Sequence, residues 1–252
     1  MELRKNLIKH TLAAGQVASV VTGINEADDI DSFGPIAKET GLHGIWLEGE
    51  HGPVDAADIG NLTRACDIWG LTSVVRVNSN HQGLIYRTLD RGAQAIVVPH
   101  INTRSEAENV VQGGKFAPVG GRGLYGSRQY HGVDNFTECG NDETCLIILI
   151  EDIVAHDNLD EILEVDHIDV FFVAPSDFAA SMGHIGNTDH PDVKAKVDDS
   201  IGRIAAAGRT AGTLATIENA KEYIEKGARF LLTGIQPWLK MGATEFSARI
   251  HR

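Results

Sequence analysis

The stretch "GEHGPVD" (residues 49–55) places an acid and a base side by side at a tight turn. It follows the apolar run "GIWLE", so its polar side chains lie where a buried strand would leave the core. His51 is the natural general base here, because an imidazole changes its charge near neutral pH. A base of this kind needs a carboxylate to orient it. Glu48, Glu50 and Asp90 are the candidates, and their spacing alone does not choose among them.

Two further carboxylates close apolar runs that are consecutive in the chain. Glu151 ends "CLIILIE", and Asp177 follows "DVFFVAPS". If the two runs are neighbouring parallel strands, these carboxylates converge at one edge and suit a hard cation such as Mg²⁺ or Mn²⁺. The alternative is that each carboxylate caps the helix that follows it.

Arg76 is a charged residue inside an apolar run, "VVRVN". A buried guanidinium needs a partner, so Arg76 either forms a structural salt bridge or binds a substrate carboxylate or a developing enolate oxygen. The sequence leaves both possibilities open. No lysine ends a predicted strand, so the nucleophile of a Schiff-base mechanism is missing. Carbonyl chemistry at this site would therefore use a metal ion to stabilise an enolate.

These residues need a scaffold that brings strand ends together, and the chain repeats one unit that supplies it. A short apolar run, continuous as in parallel strands buried on both faces, is followed by a loop and a segment with helical spacing. Eight such units predict a single (β/α)8 barrel of the TIM type over residues 1–252, an α/β fold whose active sites gather at the carboxyl ends of the strands. The runs span residues 17–24, 44–50, 72–78, 95–101, 145–151, 169–176, 210–216 and 230–235.

One segment departs from the short connections of the repeat. Residues from about 102 to 144 are rich in glycine and predict a long loop. Such loops are usually functional, and its aromatic and basic residues favour a lid or a subunit contact. The alternative is a surface excursion with no role. The residues in question are Tyr125, Arg128, Tyr130 and His131.

Composition narrows the range of partners. The formal net charge of −13 disfavours nucleic acids and anionic membranes, because binding to phosphates needs a basic surface. No apolar run approaches the roughly 18 residues that span a bilayer, and the first residues indicate an amphipathic helix rather than a signal peptide. Three cysteines with scattered spacing form neither a disulfide framework nor a C-x-x-C metal site. We therefore expect a cytoplasmic protein with reduced thiols.

Over nearly its whole length the chain resembles the metal-dependent (class II) pyruvate aldolases of the HpcH/HpaI type. It is most similar to aldolases that cleave 2-keto-3-deoxy sugar acids and 4-hydroxy-2-oxo-dioic acids such as 4-hydroxy-2-oxo-heptanedioate. The segments that carry the resemblance are "GEHGPVD", "VVRV", "LDRGAQAIVVPHINT", "HDNLDEIL", "APSDFAASMGHIGNTDHPDV" and "AAAGRTAGTLA". Several of them are long, and they occur in the order found in the family.

The resemblance implies roles in binding for four residues. Glu151 and Asp177 match the family's metal-binding carboxylates, which hold a divalent ion such as Mg²⁺, Mn²⁺ or Co²⁺ that chelates pyruvate. Ser176 and Asp177 fall where backbone amides bind the pyruvate carboxylate. Arg76 matches the arginine that stabilises the enolate oxygen.

The resemblance also implies roles in proton transfer. His51 matches the catalytic base, and Asp90 matches the aspartate that raises the basicity of that histidine. Glu50 is then expected to tune or position the site rather than to bind the metal directly. Two departures from the family pattern predict an altered substrate range. Leu149 replaces a glutamine that contacts substrate, and Ala174 replaces the glycine of a "GPxD" motif.

The activity that follows is the reversible cleavage of a 4-hydroxy-2-oxo acid to pyruvate and an aldehyde, by an enzyme that forms homo-oligomers, trimers or hexamers. Two other functions stay open at the level of sequence. One is a lyase of the same superfamily that acts on a CoA thioester or decarboxylates a 2-oxo acid, although no basic patch for CoA phosphates is evident. The other is a non-catalytic barrel that binds a metabolite.

Overall fold

In the computed structural model, which describes residues 2–250, eight parallel strands close into a barrel. Each strand pairs with the next one in the chain, and β8 pairs with β1 to complete the ring. Each predicted run overlaps one strand, so the predicted (β/α)8 barrel is confirmed. The strands are β1 (Ala18–Thr22), β2 (Gly44–Glu48), β3 (Thr72–Arg76), β4 (Ala95–Val98), β5 (Cys145–Ile150), β6 (Val170–Val173), β7 (Ala211–Leu214) and β8 (Ala228–Gly234).

Helices connect the strands and surround the barrel. No helix among residues 2–250 is both long enough and apolar enough to cross a lipid bilayer. In chain order they are α1 (Leu7–Ala13), α2 (Ala27–Thr40), α3 (Ile59–Ile68), α4 (Gln82–Asp90), α5 (Arg104–Gly114), α6 (Phe136–Glu143), α7 (Ile153–Asp157), α8 (Leu159–Leu163), α9 (Pro175–Ser181), α10 (Pro191–Ala206), α11 (Ala220–Glu225) and α12 (Gln236–Ile250).

Apolar side chains pack in two layers, because the strands are buried on both faces. Alternate strand residues such as Val74, Ile147 and Phe230 point inward and form one cluster, in which these three are fully buried. Helix α1 closes the amino end of the barrel, where Ile8 joins this inner cluster. A second cluster lies between the strands and the helices. The carboxyl ends of the strands therefore form the open face of the barrel.

The segment predicted as a loop over 102–144 contains two helices, α5 and α6, so the irregular part is corrected to 115–135. Helix α5 begins with a capping box, in which the Thr103 side chain accepts from the backbone N–H of Glu106 and Glu106 accepts in return. The "TRSE" signature of this box was present in the sequence.

The irregular part, 115–135, lies at the amino end of the barrel. Arg122 donates to Asp90 at the end of α4, over 2.7 Å, and Gln129 donates to the backbone oxygens of Gly92 and Ala93 just before β4. Within a single chain, these hydrogen bonds hold the segment at the amino end of the barrel. It therefore does not form a lid over the open face.

Replacing Ile147 by alanine should destabilise the protein strongly, because this side chain is fully buried inside the barrel. Truncating a buried isoleucine typically lowers the free energy of unfolding by about 2–5 kcal/mol. Ile68→Ala is the matched control, since Ile68 is 70% exposed at the end of α3. Its effect should stay within about 0.5 kcal/mol. Urea unfolding followed by circular dichroism measures both, and equal losses would contradict the core position of Ile147.

Candidate active site

Polar side chains from four strand ends meet at the open face of the barrel. They surround a cavity of about 140 Å³ whose wall is partly apolar. The lining comes from β1, β2, β3, β5, β6, β7 and β8 and from the first turn of α9. The residues that matter for the chemistry are Trp46, Arg76, Leu149, Phe172, Ser176 and Asp177.

Tight packing of glycines fixes the chain that carries the proposed base. The backbone N–H of Gly49 donates to the Arg76 oxygen at 3.0 Å, and a Cβ at Gly49 would lie only 2.5 Å from that oxygen. A Cβ at Gly52 would lie 2.6 Å from the backbone oxygen of Glu48. Only glycine allows so close an approach, so the end of β2 is held directly against β3.

Glu48 organises the same turn through its carboxylate. One oxygen accepts the backbone N–H groups of Glu50 and His51, at 2.9 and 3.1 Å, and the other accepts the indole N–H of Trp46 at 3.0 Å. Burial opposes ionisation of Glu48, but these hydrogen bonds and the charge of Arg76 outweigh it and lower the pKa of the carboxyl below its usual value. Glu48 therefore stays ionised and holds the turn in place.

The Arg76 guanidinium lies among three carboxylates. It pairs with Glu50, its Nη1 is 3.5 Å from Glu48 Oε2, and its Nη2 is 3.7 Å from Glu151 Oε2. The sequence left a structural salt bridge and a substrate-binding role as alternatives. The structure shows the salt bridge, and the substrate-binding role stays a prediction. Three carboxylates facing one guanidinium leave the mouth with excess negative charge. A second cation would balance it.

Glu151 is the most buried of these carboxylates, with 1% of its side chain exposed. Burial raises the pKa of its carboxyl above the usual value, and the nearby Asp177 carboxylate adds to the shift, while His100 and Arg76 oppose it. The charge of Asp177 therefore acts on Glu151, as expected for carboxylates that follow the neighbouring strands β5 and β6.

Neither of these two carboxylates acts as a helix cap. Asp152, not Glu151, caps α7 by accepting the backbone N–H of Val154 at 2.8 Å. Ala174 occupies the cap position of α9, and Asp177 lies inside its first turn. The capping alternative is therefore wrong for both residues.

His100 is the residue of this cluster that the sequence interpretation missed. Its backbone N–H donates to Glu151 Oε1 at 2.7 Å, its Nδ1 is 3.1 Å from the same oxygen, and its Nε2 is 3.6 Å from Glu50 Oε1. Its position at the end of the fourth apolar run was visible, but no motif gave it a role. Its backbone is left-handed, with a φ of 55°. Histidine rarely adopts this conformation, so the residue type alone does not predict it.

His51 and Asp90 are not brought together within one chain. The His51 side chain is 70% exposed at the rim, and its Nε2 is 3.8 Å from Glu50 Oε2. Asp90 is the last residue of α4, which runs from the carboxyl end of β3 to the amino end of β4, and it pairs with the buried Arg122. Of the three carboxylates that could orient His51, Glu50 is the one beside its ring.

Leu149 and Ala174 both lie at the mouth. Leu149 belongs to the inner cluster and lines the cavity together with Trp46 and Phe172, whose ring centroids are 5.5 Å apart. The wall beside Arg76 is therefore apolar where the family has a glutamine. Ala174 packs against the same cluster.

The donor atoms at the mouth fit a hard divalent cation. Glu151 Oε2 is buried and has no hydrogen-bond partner in the described part of the chain, and the Asp177 carboxylate is nearby. Oxygen donors of this kind are the ligands that Mg²⁺ and Mn²⁺ prefer. A separate, partly exposed group around the start of α10 (His184, His190 and Asp192) has ligand atoms within 4.8 Å of one another. There the Nδ1 of His190 already accepts from the backbone of Asp192.

Comparisons with known proteins agree over most of the chain. The family model described as HpcH/HpaI aldolase/citrate lyase matches residues 35–239. A 2-keto-3-deoxy-L-rhamnonate aldolase of Escherichia coli O17:K52:H18 is 32% identical over 248 residues, which cover 96% of this chain and 92% of that protein. The protein of the same name from Klebsiella pneumoniae subsp. pneumoniae is 35% identical over 209 residues, covering 81% and 78%.

A solved structure of the same family also superposes on this chain. The HpcH/HpaI aldolase/citrate lyase family protein from Burkholderia cenocepacia J2315 superposes with a TM-score of 0.88 and 26% identity. The match covers 98% of this chain and 100% of that one.

Glu151→Gln should make the metal-free protein more stable near pH 7.5, because the ionised carboxylate is unfavourable where it is buried. We expect a gain of about 0.5–2 kcal/mol in the free energy of unfolding. The gain should shrink as the pH falls from the raised folded pKa towards the unfolded value of 4.5, and it should vanish below that value, where the wild-type carboxyl is protonated in both states.

Denaturant unfolding in the presence of chelator, between pH 4 and pH 8, measures this difference. Glu161→Gln, the same change at an exposed position of α8, is the control and should alter stability little at any pH. A Glu151→Gln protein that is less stable than wild type at pH 7.5 would contradict the prediction.

Proposed function

This chain belongs to the HpcH/HpaI aldolase/citrate lyase family, and we propose that it is a metal-dependent aldolase acting on 4-hydroxy-2-oxo acids of the 2-keto-3-deoxy sugar acid type. It is a carbon–carbon lyase, and its products are pyruvate and an aldehyde. The observation that carries the proposal is the clustering of Arg76, Glu151 and Asp177 at the open face of the barrel. Arg76 and Asp177 line one cavity, and Glu151 lies against Arg76 with a buried oxygen that has no hydrogen-bond partner among residues 2–250.

Glu151 and Asp177 would hold the divalent ion, which we propose is Mg²⁺, Mn²⁺ or Co²⁺. When bound, such an ion supplies Lewis acidity at the carbonyl group of the substrate. The two residues contribute negative oxygen donors, and Arg76 balances part of the remaining charge.

Arg76 and the first turn of α9 bind the 2-oxo acid end of the substrate in this proposal. The guanidinium donates to the oxygen on which enolate charge develops, and it acts in a site with little water because only 11% of the side chain is exposed. The backbone N–H groups of Ser176 and Asp177 lie in the first helical turn, where they have no partner within the helix. They are placed to bind the substrate carboxylate.

His51 removes the proton from the C4 hydroxyl of the substrate, directly or through one water. The C3–C4 bond then breaks, the aldehyde leaves, and the resulting enolate takes up a proton to give pyruvate. The exposed ring of His51 can reach a substrate that extends out of the cavity, and Glu50 lies beside the ring to orient it. The structure supports no role for Asp90 at His51 within one chain.

We also propose that the chain forms a homo-oligomer, a trimer or a hexamer. Helix α12 buries none of its described residues, although it carries four large apolar side chains that are 56–65% exposed. Leu239, Phe246 and Ile250 are seven and four residues apart, so they lie on one face of the helix, and an exposed apolar face of this kind marks a protein contact. The residues are Leu239, Met241, Phe246 and Ile250. The free cysteines agree with the cytoplasmic location that we infer.

The rival functions differ in their products. A lyase for CoA thioesters would need a basic surface for phosphates, yet the residues around the mouth are mainly acidic or apolar. A non-catalytic barrel would bind ligand without releasing pyruvate. Both rivals can therefore be separated from the aldolase by measuring products.

Incubation with a panel of 4-hydroxy-2-oxo acids, including 2-keto-3-deoxy sugar acids, should release pyruvate, which lactate dehydrogenase detects. EDTA should abolish this release, and Mg²⁺, Mn²⁺ or Co²⁺ should restore it. Full activity in chelator would overturn the metal assignment. Absence of pyruvate with every member of the panel would overturn the aldolase itself.

His51→Ala should slow cleavage by roughly 10²–10⁴-fold, the usual contribution of a general base. The affinity for pyruvate, measured by calorimetry in the presence of Mg²⁺, should change far less, because the ring moves a proton rather than binding this product. His10→Ala is the control, since His10 lies on α1 at the closed end of the barrel. Equal losses in the rate and in pyruvate affinity would assign His51 to binding instead.

A further inference from the structure

We propose that His100 is a positioning residue that fixes the Glu151 carboxylate, so that Oε2 is the oxygen offered to the divalent ion. This inference rests on the proposed function, because it assumes that Glu151 is a metal ligand. Neither the sequence motifs nor the comparisons with relatives assign a role to His100.

The backbone of His100 adopts an unfavourable conformation in order to reach Glu151. Its φ is 55°, and His167 (φ 66°) is the other non-glycine residue with a positive φ in the described range. Residues with a Cβ rarely occupy this left-handed region, and such residues persist where the surrounding structure requires them. At His100 the result is a backbone N–H aimed at Glu151 Oε1, with a distance of 2.7 Å.

The ring of His100 strengthens the same contact. Its Nδ1 is 3.1 Å from Glu151 Oε1, the same oxygen that accepts the backbone N–H. Its Nε2 is 3.6 Å from Glu50 Oε1, and the ring therefore bridges two carboxylates. These contacts fix the plane of the ring although 63% of the side chain is exposed.

The two oxygens of Glu151 are consequently different. Oε1 accepts the amide N–H of His100 and lies 3.1 Å from its ring Nδ1, whereas Oε2 is buried with no hydrogen-bond partner among residues 2–250 and lies 3.7 Å from Arg76 Nη2. The last torsion of a glutamate side chain is broad, so packing alone leaves the plane of the carboxylate free to turn. His100 fixes that plane, with one oxygen held and the other left for the ion.

Groups that hydrogen-bond to metal ligands typically change metal affinity by 10–100-fold. Removal of the ring should therefore weaken metal binding even where the backbone keeps its own bond. Asparagine also tolerates a left-handed backbone, and its Nδ2 is as many bonds from Cα as the Nδ1 of histidine. His100→Asn should consequently recover most of the metal affinity lost in the glycine variant.

The test measures binding of Mn²⁺ to metal-free protein by calorimetry, together with thermal unfolding in chelator. His100→Gly and His100→Ala should bind Mn²⁺ about 10–100-fold more weakly than wild type. His100→Gly relieves the backbone and should unfold at no lower a temperature, which separates the loss of affinity from a loss of folding. His167→Gly and His167→Ala are matched controls at the turn between α8 and β6, and they should keep wild-type affinity.

Glu151→Gln, measured in parallel, separates this inference from the proposed function. If Glu151→Gln loses Mn²⁺ binding while His100→Gly binds as wild type does, the role of His100 is overturned and the metal assignment stands. If Glu151→Gln binds Mn²⁺ as tightly as wild type does, the metal assignment is overturned, and the role of His100 with it. An equal loss in the His167 variants would also overturn the role, since backbone change alone would then explain it.

Discussion

The guanidinium of Arg76 is the charge around which the open end of the barrel is arranged. It is nearly buried and faces Glu48, Glu50 and Glu151, so it keeps several like charges in a small volume. Two of these carboxylates also accept hydrogen bonds from other parts of the site. Glu48 holds the turn that carries His51, and Glu151 accepts from His100. Without the guanidinium these carboxylates would repel one another, and the site would lose the contact that holds its strand ends together.

The wall opposite these charges is apolar, and this is where the chain departs most from the family pattern. Leu149 has taken the place of a polar substrate contact, and Trp46 and Phe172 pack beside it. The indole N–H of Trp46 donates to Glu48, so the ring fills the apolar wall without leaving its one hydrogen-bond donor unpaired. The site thus combines a strongly charged side, where we propose that the oxo acid binds, with an apolar side.

The sequence predicted the barrel well because parallel strands buried on both faces leave an unmistakable trace, and each such run overlaps a strand. It also identified Arg76, Glu151 and Asp177, since strand ends on one edge must meet. It failed for residues whose position depends on an unusual backbone conformation or on packing between segments far apart in the chain. The left-handed backbone of His100 has no residue signature. Asp90 follows the family motif, but the direction of α4 carries it to the opposite end, where it pairs with Arg122.

The glutamate that is 1% exposed and the histidine that is 70% exposed lie beside the same cluster of Arg76 and Glu50, so the site runs from a tightly packed interior to an open rim. Substitutions at the deep end disturb a tightly packed cluster of charges. Apart from His51 itself, side chains at the rim meet water and few neighbours, so substitutions there cost little stability. A scaffold built this way can exchange one sugar-derived aldehyde for another over many generations while the chemistry of its three-carbon partner stays the same.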